Sequence, residues 1–402
     1  MKPRIFIAMH YMELGGAERA LLGLLNALDV SRVSVDLFIY RHSGSFMSFI
    51  PDKVNLLPEE PAYAVVESPL KEALLRGQWG IVLGRIIGKI KYWLYIHRTK
   101  IENEGSASHY AFDGMIRFLP SLKKYGHYDL AISFLDPPHV VQDKVDADIK
   151  LEWIHTDFST VNMDVATTEP RWAKNDYIVS ISSSVTEQFL KTYPSLIRKI
   201  VEIHNILSPK FVREQALLDV NILDGKFKTE EDAIILLSVG RISYQKNFEC
   251  IPFVCQILKK KGLKFHWYVI GPGKHDDIDA KGEELGTKDV FDFLGSKDNP
   301  YPYMLKCDIY VQPSRYEGHS VTVREAQMLY KPVVVTNYAT ARNQVKDGDD
   351  GIICGMSYEE IADTIIKLVN DKDKMYHIKD YLHSHDYGNE DEVNKIYNIL
   401  SV

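Results

Sequence analysis

Twelve short runs rich in β-branched and aromatic residues punctuate the chain, and most are separated by stretches with apolar residues at three- and four-residue spacing. The first six runs fall at 3–9, 33–40, 129–135, 150–155, 176–182 and 201–207, and a second six at 233–240, 265–271, 290–295, 308–314, 332–337 and 351–354. Near-continuous apolar strands alternating with helices imply parallel sheets covered on both faces. At 402 residues the chain exceeds what one hydrophobic core fills. The polar stretch 208–232 stands between the two series and reads as an interdomain connection. The expected fold is therefore α/β: two doubly wound, Rossmann-like domains, 1–207 and 208–387, facing across a cleft.

Composition narrows the function. A net charge of -7 argues against a general nucleic-acid binder, because phosphate contacts need a positive surface. The four cysteines, Cys250, Cys255, Cys307 and Cys354, form no CxxC pair and suit a reduced compartment rather than a disulfide scaffold. The apolar run before Glu13 and Gly15 is too brief for a signal peptide, and no uninterrupted apolar stretch approaches a membrane span. The expectation is a cytoplasmic protein that can lie against the inner face of a membrane.

In doubly wound sheets ligands sit at the carboxyl ends of strands, where loops run into helix N-termini. Four motifs occupy such positions. GGAER places Gly15 and Gly16 directly before an amphipathic helix, where backbone can approach an anion closely; it is equally an ordinary loop, and it is no GxGxxG fingerprint. SVGRISYQKN sets Arg241 and Lys246 five apart at a strand end, a pair of cations able to neutralise a diphosphate or simply to face solvent. VIGPGKHDD, with Gly271, is a tight loop and not a P-loop. In YEGHSVTVRE, Thr322 and Glu325 fit a T-x-x-E capping box, whereas Glu317 lies in the preceding loop, where no cap explains it. A carboxylate there can accept hydrogen bonds from sugar hydroxyls, Glu325 can accept them from a ribose, and the backbone N–H groups of His319, Ser320 and Val321 can face a phosphate. WIHTDFS adds His155 at another strand end, a position a plain core histidine also occupies.

Residues 71–100 carry seven Lys or Arg against one Glu, interleaved with Ile86, Ile87, Ile90, Trp93, Leu94 and Ile96. Such a pattern suits an interfacial helix on anionic lipid; it also suits a helix packed on the N-terminal sheet with a basic outer face. Asp-x-Asp pairs at 146/148, 277/279, 347/349 and 371/373 do not end apolar strands as a metal-dependent sugar transferase would require, so no metal is expected.

Taken in order, GGAER, GRISYQKN, VIGPG, FLG, CDIYVQPSRYEGHSVTVREAQMLYKPVVVTN and DGDDGIIC resemble the retaining GT-B glycosyltransferases of family 4, densely in the second domain and in the first only through the Gly loop and WIHTD. The resemblance implies an N-terminal acceptor-side domain, with 388–402 packing back on it, and a C-terminal nucleotide-sugar-binding domain. It implies that Glu317 contacts the donor sugar, Glu325 the ribose, and Arg241 and Lys246 the diphosphate, with Gly15, Gly16 and Gly271 lining the donor site and His155 near the transferred sugar. His319 and Ser320 depart from the family pattern after Gly318, which leaves the sugar open. The implied activity is hexosyl or N-acetylhexosaminyl transfer from a UDP- or GDP-linked donor to a glycan or lipid-linked acceptor, with retention of configuration and no cofactor, in cell-surface polysaccharide biosynthesis. A non-catalytic nucleotide-sugar binder on the same fold is the alternative.

Overall fold

A computed structural model describes residues 2–13, 15–101, 105–156, 158, 161–218, 225, 227, 232–318 and 320–401. The chain divides into two compact units, 1–207 together with 389–402, and 208–388.

The first unit is built on seven parallel strands: β1 (Arg4–Met9), β2 (Ser34–Ile39), β3 (Asn55–Leu56), β4 (His127–Ser133), β5 (Asp146–Ile154), β6 (Tyr177–Ser180) and β7 (Ile200–Glu202). Their spatial order is β3-β2-β1-β4-β5-β6-β7. The second unit has six, β8 (Ile234–Val239), β9 (Phe265–Ile270), β10 (Phe291–Phe293), β11 (Ile309–Gln312), β12 (Val333–Thr336) and β13 (Ile352–Cys354), in the order β10-β9-β8-β11-β12-β13. Both sheets are parallel throughout, and helices on both faces exclude water from strands such as β1, where Ile5, Phe6 and Ile7 are fully buried. The two-residue β3 carries no apolar run long enough to announce itself and was not expected.

One large cluster forms the core of the second unit, with Trp267, Phe248, Ile251, Ile361 and all of the cysteines but Cys307 among its members. Phe6, Phe38, Tyr63, Tyr128 and Phe112 anchor a core of the first unit.

Two local expectations need correction. The stretch 208–232 is not a connector along its length: it opens with the helix Pro209–Leu217, capped by Ser208, whose Arg213 Nε donates to the Met328 carbonyl at 3.0 Å within the second unit. Most of the remainder lies outside the described residues. The T-x-x-E box at Thr322 and Glu325 does not form either. The helix runs Val321–Met328 with Ser320 at its N-cap, so Thr322 already lies inside it. A reciprocal box does form where the spacing fits the helix start, between Ser357 and Glu360 at the head of Tyr358–Asn370.

The basic segment folds as the helix Trp79–Thr99. Gly80, Gly84 and Gly88 recur every four residues along it, and the latter two let it approach the helix Ala107–Met115 at backbone distance. A Cβ on Gly88 would stand 2.3 Å from the Tyr110 carbonyl oxygen, and one on Gly84 2.5 Å from Met115 Cα. The opposite face leaves Trp79, Leu83, Ile86, Ile90, Trp93 and Leu94 exposed.

Candidate functional site

In the second unit the sheet reverses direction between β8 and β11: β9 and β10 extend it to one side, β11 to β13 to the other. Loops leaving adjacent strands at such a point diverge and open a crevice at the carboxyl ends. Backbone bonds fix the loop after β8. Gly240 N–H donates to the Ile270 carbonyl at 2.8 Å and Ile242 N–H to that of Pro272 at 2.8 Å. Gly271, at φ +150°, makes this approach feasible, because a Cβ there would lie 1.9 Å from the Gly240 oxygen. Asn247, in the left-handed region at φ +58°, sends its side-chain amide across to the Pro313 carbonyl at 2.9 Å. The β8 and β11 loops are thereby tied together.

Between them lies the centre of the site. Lys246 Nζ meets Glu317 Oε1 at 2.7 Å, with side-chain exposures of 16% and 6%. The same oxygen accepts from Ser314 Oγ at 2.6 Å and from Gln312 Nε2 at 3.2 Å, while among the described residues Oε2 receives only Gln245 Nε2 at 3.3 Å. Oε1 is thus saturated and Oε2 keeps lone-pair capacity for a hydroxyl donor. Thr340 Oγ1 holds the Glu317 carbonyl at 2.8 Å. Behind this pair, Gln312 links to the Tyr310 hydroxyl at 2.8 Å, which also stands 2.8 Å from Thr322 Oγ1. Burial pushes the Tyr310 hydroxyl far above its ordinary pKa, so it serves as a donor. The Tyr338 hydroxyl is buried without a partner among the described residues, and burial followed by the Glu317 charge raises its pKa.

The Val321–Met328 helix starts beside this pair. Gln344 clamps its N-cap residue, accepting from Ser320 N–H at 3.0 Å and donating to the Ser320 carbonyl at 2.5 Å. The N–H groups of Val321 and Thr322 have no carbonyl one turn back, the ordinary state of a helix start and a ready place for a phosphate. Glu325 is buried inside the same helix, its Oε1 accepting from the Tyr301 hydroxyl at 2.7 Å. Arg241 sits exposed at the end of β8 and makes no hydrogen bond or ion pair among the described residues. His319 lies outside them.

The remaining candidates belong to the first unit. Gly15 caps the helix Gly16–Ala27 in extended backbone, and the Glu18 carboxylate folds over it so closely that a Cβ would meet Oε2 at 2.1 Å. Burial raises the Glu18 pKa. A Cβ on Gly16 would meet nothing within 4 Å, so the space beside that helix start is open. His155 follows β5, stacked on Trp153 and tilted against Phe134, its Nε2 buried without a partner among the described residues. Burial pulls its pKa down to about 4, so the imidazole is neutral at neutral pH. Asp157 lies outside the described residues.

The structure therefore joins Lys246 and Glu317 directly, sets Arg241, Gly271, Ser320, Val321 and Glu325 at the same strand ends, and places Gly15, Gly16 and His155 at strand ends of the other unit. Sequence reasoning missed Gln312, Ser314, Gln245 and Tyr310. Their signal was present: Tyr310, Gln312 and Ser314 are polar at a period of two at the end of an apolar strand, so all three face one way.

Comparison with known proteins fits this geometry. Residues 219–384, which contain the whole switch-point site, match the family model of glycosyl transferases group 1. The N-acetylgalactosamine-N,N'-diacetylbacillosaminyl-diphospho-undecaprenol 4-alpha-N-acetylgalactosaminyltransferase of Campylobacter jejuni is 27% identical over 206 residues, 51% of this chain and 53% of that protein. The capsular polysaccharide biosynthesis glycosyltransferase CapM of Staphylococcus aureus is 27% identical over 208 residues, 48% of this chain and 52% of CapM. The chain thus spans about half the length of these curated relatives. Among solved structures, Anabaena HepE in complex with UDP and glucose superposes with a TM-score of 0.62 at 14% identity over 99% of both chains. TarM of S. aureus gives 0.61 at 12% identity over the full length of both. The chain has the fold of the GT-B glycosyltransferases.

Proposed function

We propose that this protein is a glycosyltransferase of cell-surface polysaccharide biosynthesis. It moves a hexosyl or N-acetylhexosaminyl group from a UDP- or GDP-linked donor to a glycan or lipid-linked acceptor, with retention of configuration. The observation that carries the reading is the buried Lys246–Glu317 pair at the β8/β11 switch point, beside the open start of the 321–328 helix. In this reading Lys246 and the unengaged Arg241 take the diphosphate and stabilise the charge that develops on it as the sugar leaves, a role that needs no metal. The Val321 N–H supports the phosphate, Glu317 Oε2 accepts from a donor-sugar hydroxyl, and Glu325 accepts from the ribose. Gly15 and Gly16 give close backbone approach, and His155, neutral at working pH, stands by the transferred sugar. No side chain of the site is an evident nucleophile, so transfer follows a same-face route in which the departing phosphate takes the acceptor proton. Trapping a covalent glycosyl-enzyme would exclude that route.

The membrane part of the reading rests on the helix Trp79–Thr99. Trp79, Leu83, Ile86, Ile90, Trp93 and Leu94 fall within about 100° of arc at helical spacing. The exposed Lys89, Lys91 and Arg98 flank that stripe. Such a face suits an anionic lipid surface that carries the acceptor.

Incubation with labelled UDP- and GDP-sugars tests the activity. Transfer or donor hydrolysis that is lost in Glu317→Ala and Lys246→Ala, with folding intact, and that survives EDTA, supports it. Saturable donor binding without turnover would leave a nucleotide-sugar-binding protein instead.

A further inference from the structure

Tyr310, Gln312 and Ser314 run along the end of β11 at every second residue, and each is 0% exposed. An apolar strand end would fill the same space, so the polar atoms ask where each proton goes. Glu317 Oε1, paired with Lys246, can only accept. Ser314 Oγ, at 2.6 Å, gives it its single proton and receives one from Gln312 Nε2 at 2.8 Å. The second Nε2 proton goes to the same Glu317 oxygen at 3.2 Å. Turned over, the Gln312 amide would set its carbonyl against both the carboxylate and the Ser314 oxygen, three acceptors around one proton.

What keeps the amide the right way round lies at its other end. Burial keeps the Tyr310 hydroxyl protonated, and it has one proton for two side-chain oxygens at 2.8 Å, Gln312 Oε1 and Thr322 Oγ1. Its contacts with the Val239 carbonyl and N–H are longer, at 3.2 and 3.3 Å. Whichever oxygen takes the proton, Gln312 Oε1 receives a donor, from Tyr310 itself or from the Thr322 hydroxyl at 3.4 Å. The amide is thus pinned with its oxygen toward the phenol and its nitrogen toward Glu317. Thr322 lies in the first turn of the 321–328 helix, and its Oγ1 is 3.2 Å from Ser320 Oγ at the N-cap. A single buried chain therefore runs from the helix start to Glu317, and fully satisfied chains of this kind are rigid.

We propose that Tyr310 and Gln312 are positioning residues for sugar transfer: through the Gln312 amide the phenol fixes Glu317 Oε1, and so presents Oε2 to a hydroxyl of the donor sugar. This rests on the transferase reading for the donor; the order of the chain stands on its hydrogen bonds alone. Tyr310 and Gln312 act through Glu317, so losing either slows the sugar step and leaves the hold on the nucleotide unchanged.

UDP-glucose, UDP-galactose, UDP-N-acetylglucosamine, UDP-N-acetylgalactosamine and GDP-mannose are incubated with the full chain, and cleavage of the sugar–phosphate bond is followed beside the affinity for UDP and GDP. For a donor that turns over, Gln312→Met and Tyr310→Phe should each lower kcat about tenfold, with KM and nucleoside diphosphate affinity within about threefold of the parent. Adding Tyr310→Phe to Gln312→Met should cost less than about a further twofold, because the phenol acts through the amide. Unchanged kcat in either single variant, or losses that multiply in the double variant, overturns the assignment. Each single variant carries the test if the other does not fold. A second measurement needs no donor: with 13C at tyrosine Cζ, the Tyr310 signal, assigned by its loss in Tyr310→Phe, should move in Gln312→Met and in Glu317→Gln. A signal that stays in place in both sinks the chain even where transfer is observed. If no donor turns over, the transferase reading loses its support and this signal alone decides whether the chain exists.

Discussion

Glu317 and Glu325 share a motif, but their surroundings assign them different work. Glu317 has three donors on one oxygen and spare capacity on the other, whereas Glu325 is buried in its helix with Oε1 held by the Tyr301 hydroxyl. Glu317→Gln keeps the volume, loses the ion pair with Lys246 and sets a second amide against Gln312 and Gln245. Transfer is expected to fall about a hundredfold, with nucleoside diphosphate affinity within threefold of the parent by calorimetry. Glu325→Gln should instead weaken that affinity about tenfold, the size of one lost charge-assisted hydrogen bond. His155 adds a pH signature. Its pKa is about 4 folded against 6.5 unfolded, so between those values the unfolded chain binds the extra proton. Its contribution is present above pH 6.5 and is lost on acidification toward 4, about 3 kcal/mol in all. His155→Gln should flatten the pH dependence of unfolding across that window; an unchanged slope in a denaturant series would contradict the buried neutral ring. At this scale the charged members of the site were legible, because a carboxylate or cation ending an apolar strand has few structural uses. Gln312 and Ser314 were overlooked: their only signal is a period of two with Tyr310 at the end of an apolar strand, which becomes informative once the sheet order is known.

At the scale of elements, the parallel strands could be read because apolar runs of four to eight residues have few other solutions. Where the reading failed, the cause was local. The capping box at 322–325 failed because the helix begins two residues earlier than a Thr322 cap requires, at Val321, so Thr322 turns its hydroxyl to Tyr310 instead of capping. The stretch 208–232 looked like a linker because its polar composition hid a short helix that buries Val212 and Ala216. The glycines at four-residue spacing in the basic helix went unused, although they decide which of its faces is inside. Gly88→Val would drive two methyl groups into the Tyr110 carbonyl region and should cost about 3 kcal/mol of stability, read by urea unfolding. Lys89→Ala, one residue on and exposed, should cost almost nothing. Gly271→Ala tests the site's scaffold in the same way. Its Cβ collides with the Gly240 carbonyl, so loss of nucleotide binding should accompany loss of stability.

At the scale of the whole molecule, a chain of net charge -7 is repelled by an anionic bilayer unless a local patch overrides it. The 79–99 helix supplies such a patch in a form that a packed surface helix does not need. Its glycine face is consumed by the neighbouring helix, so among the described residues the apolar stripe stays exposed, with Trp93 stacked only on His97 of its own helix and 58% exposed. Lys89, Lys91, Arg98 and Lys100 are exposed on or just beyond the helix. At about 1 kcal/mol per cation near an anionic surface they contribute about 4 kcal/mol, on the order of a thousandfold in partitioning, before any burial of Trp93 and Leu94. No described helix is long and apolar enough to span a bilayer, so the association should be reversible. The protein is expected to sediment with phosphatidylglycerol vesicles and not with phosphatidylcholine vesicles, and raising salt from 0.05 to 0.5 M should release most of it. Replacing Lys89, Lys91, Arg98 and Lys100 together by Gln should abolish sedimentation. Trp93→Ser with Leu94→Ser should weaken it while leaving a residual, salt-sensitive fraction. Equal binding to both lipids would mean that the apolar stripe alone drives adsorption, and the basic flanks would then need another anionic partner.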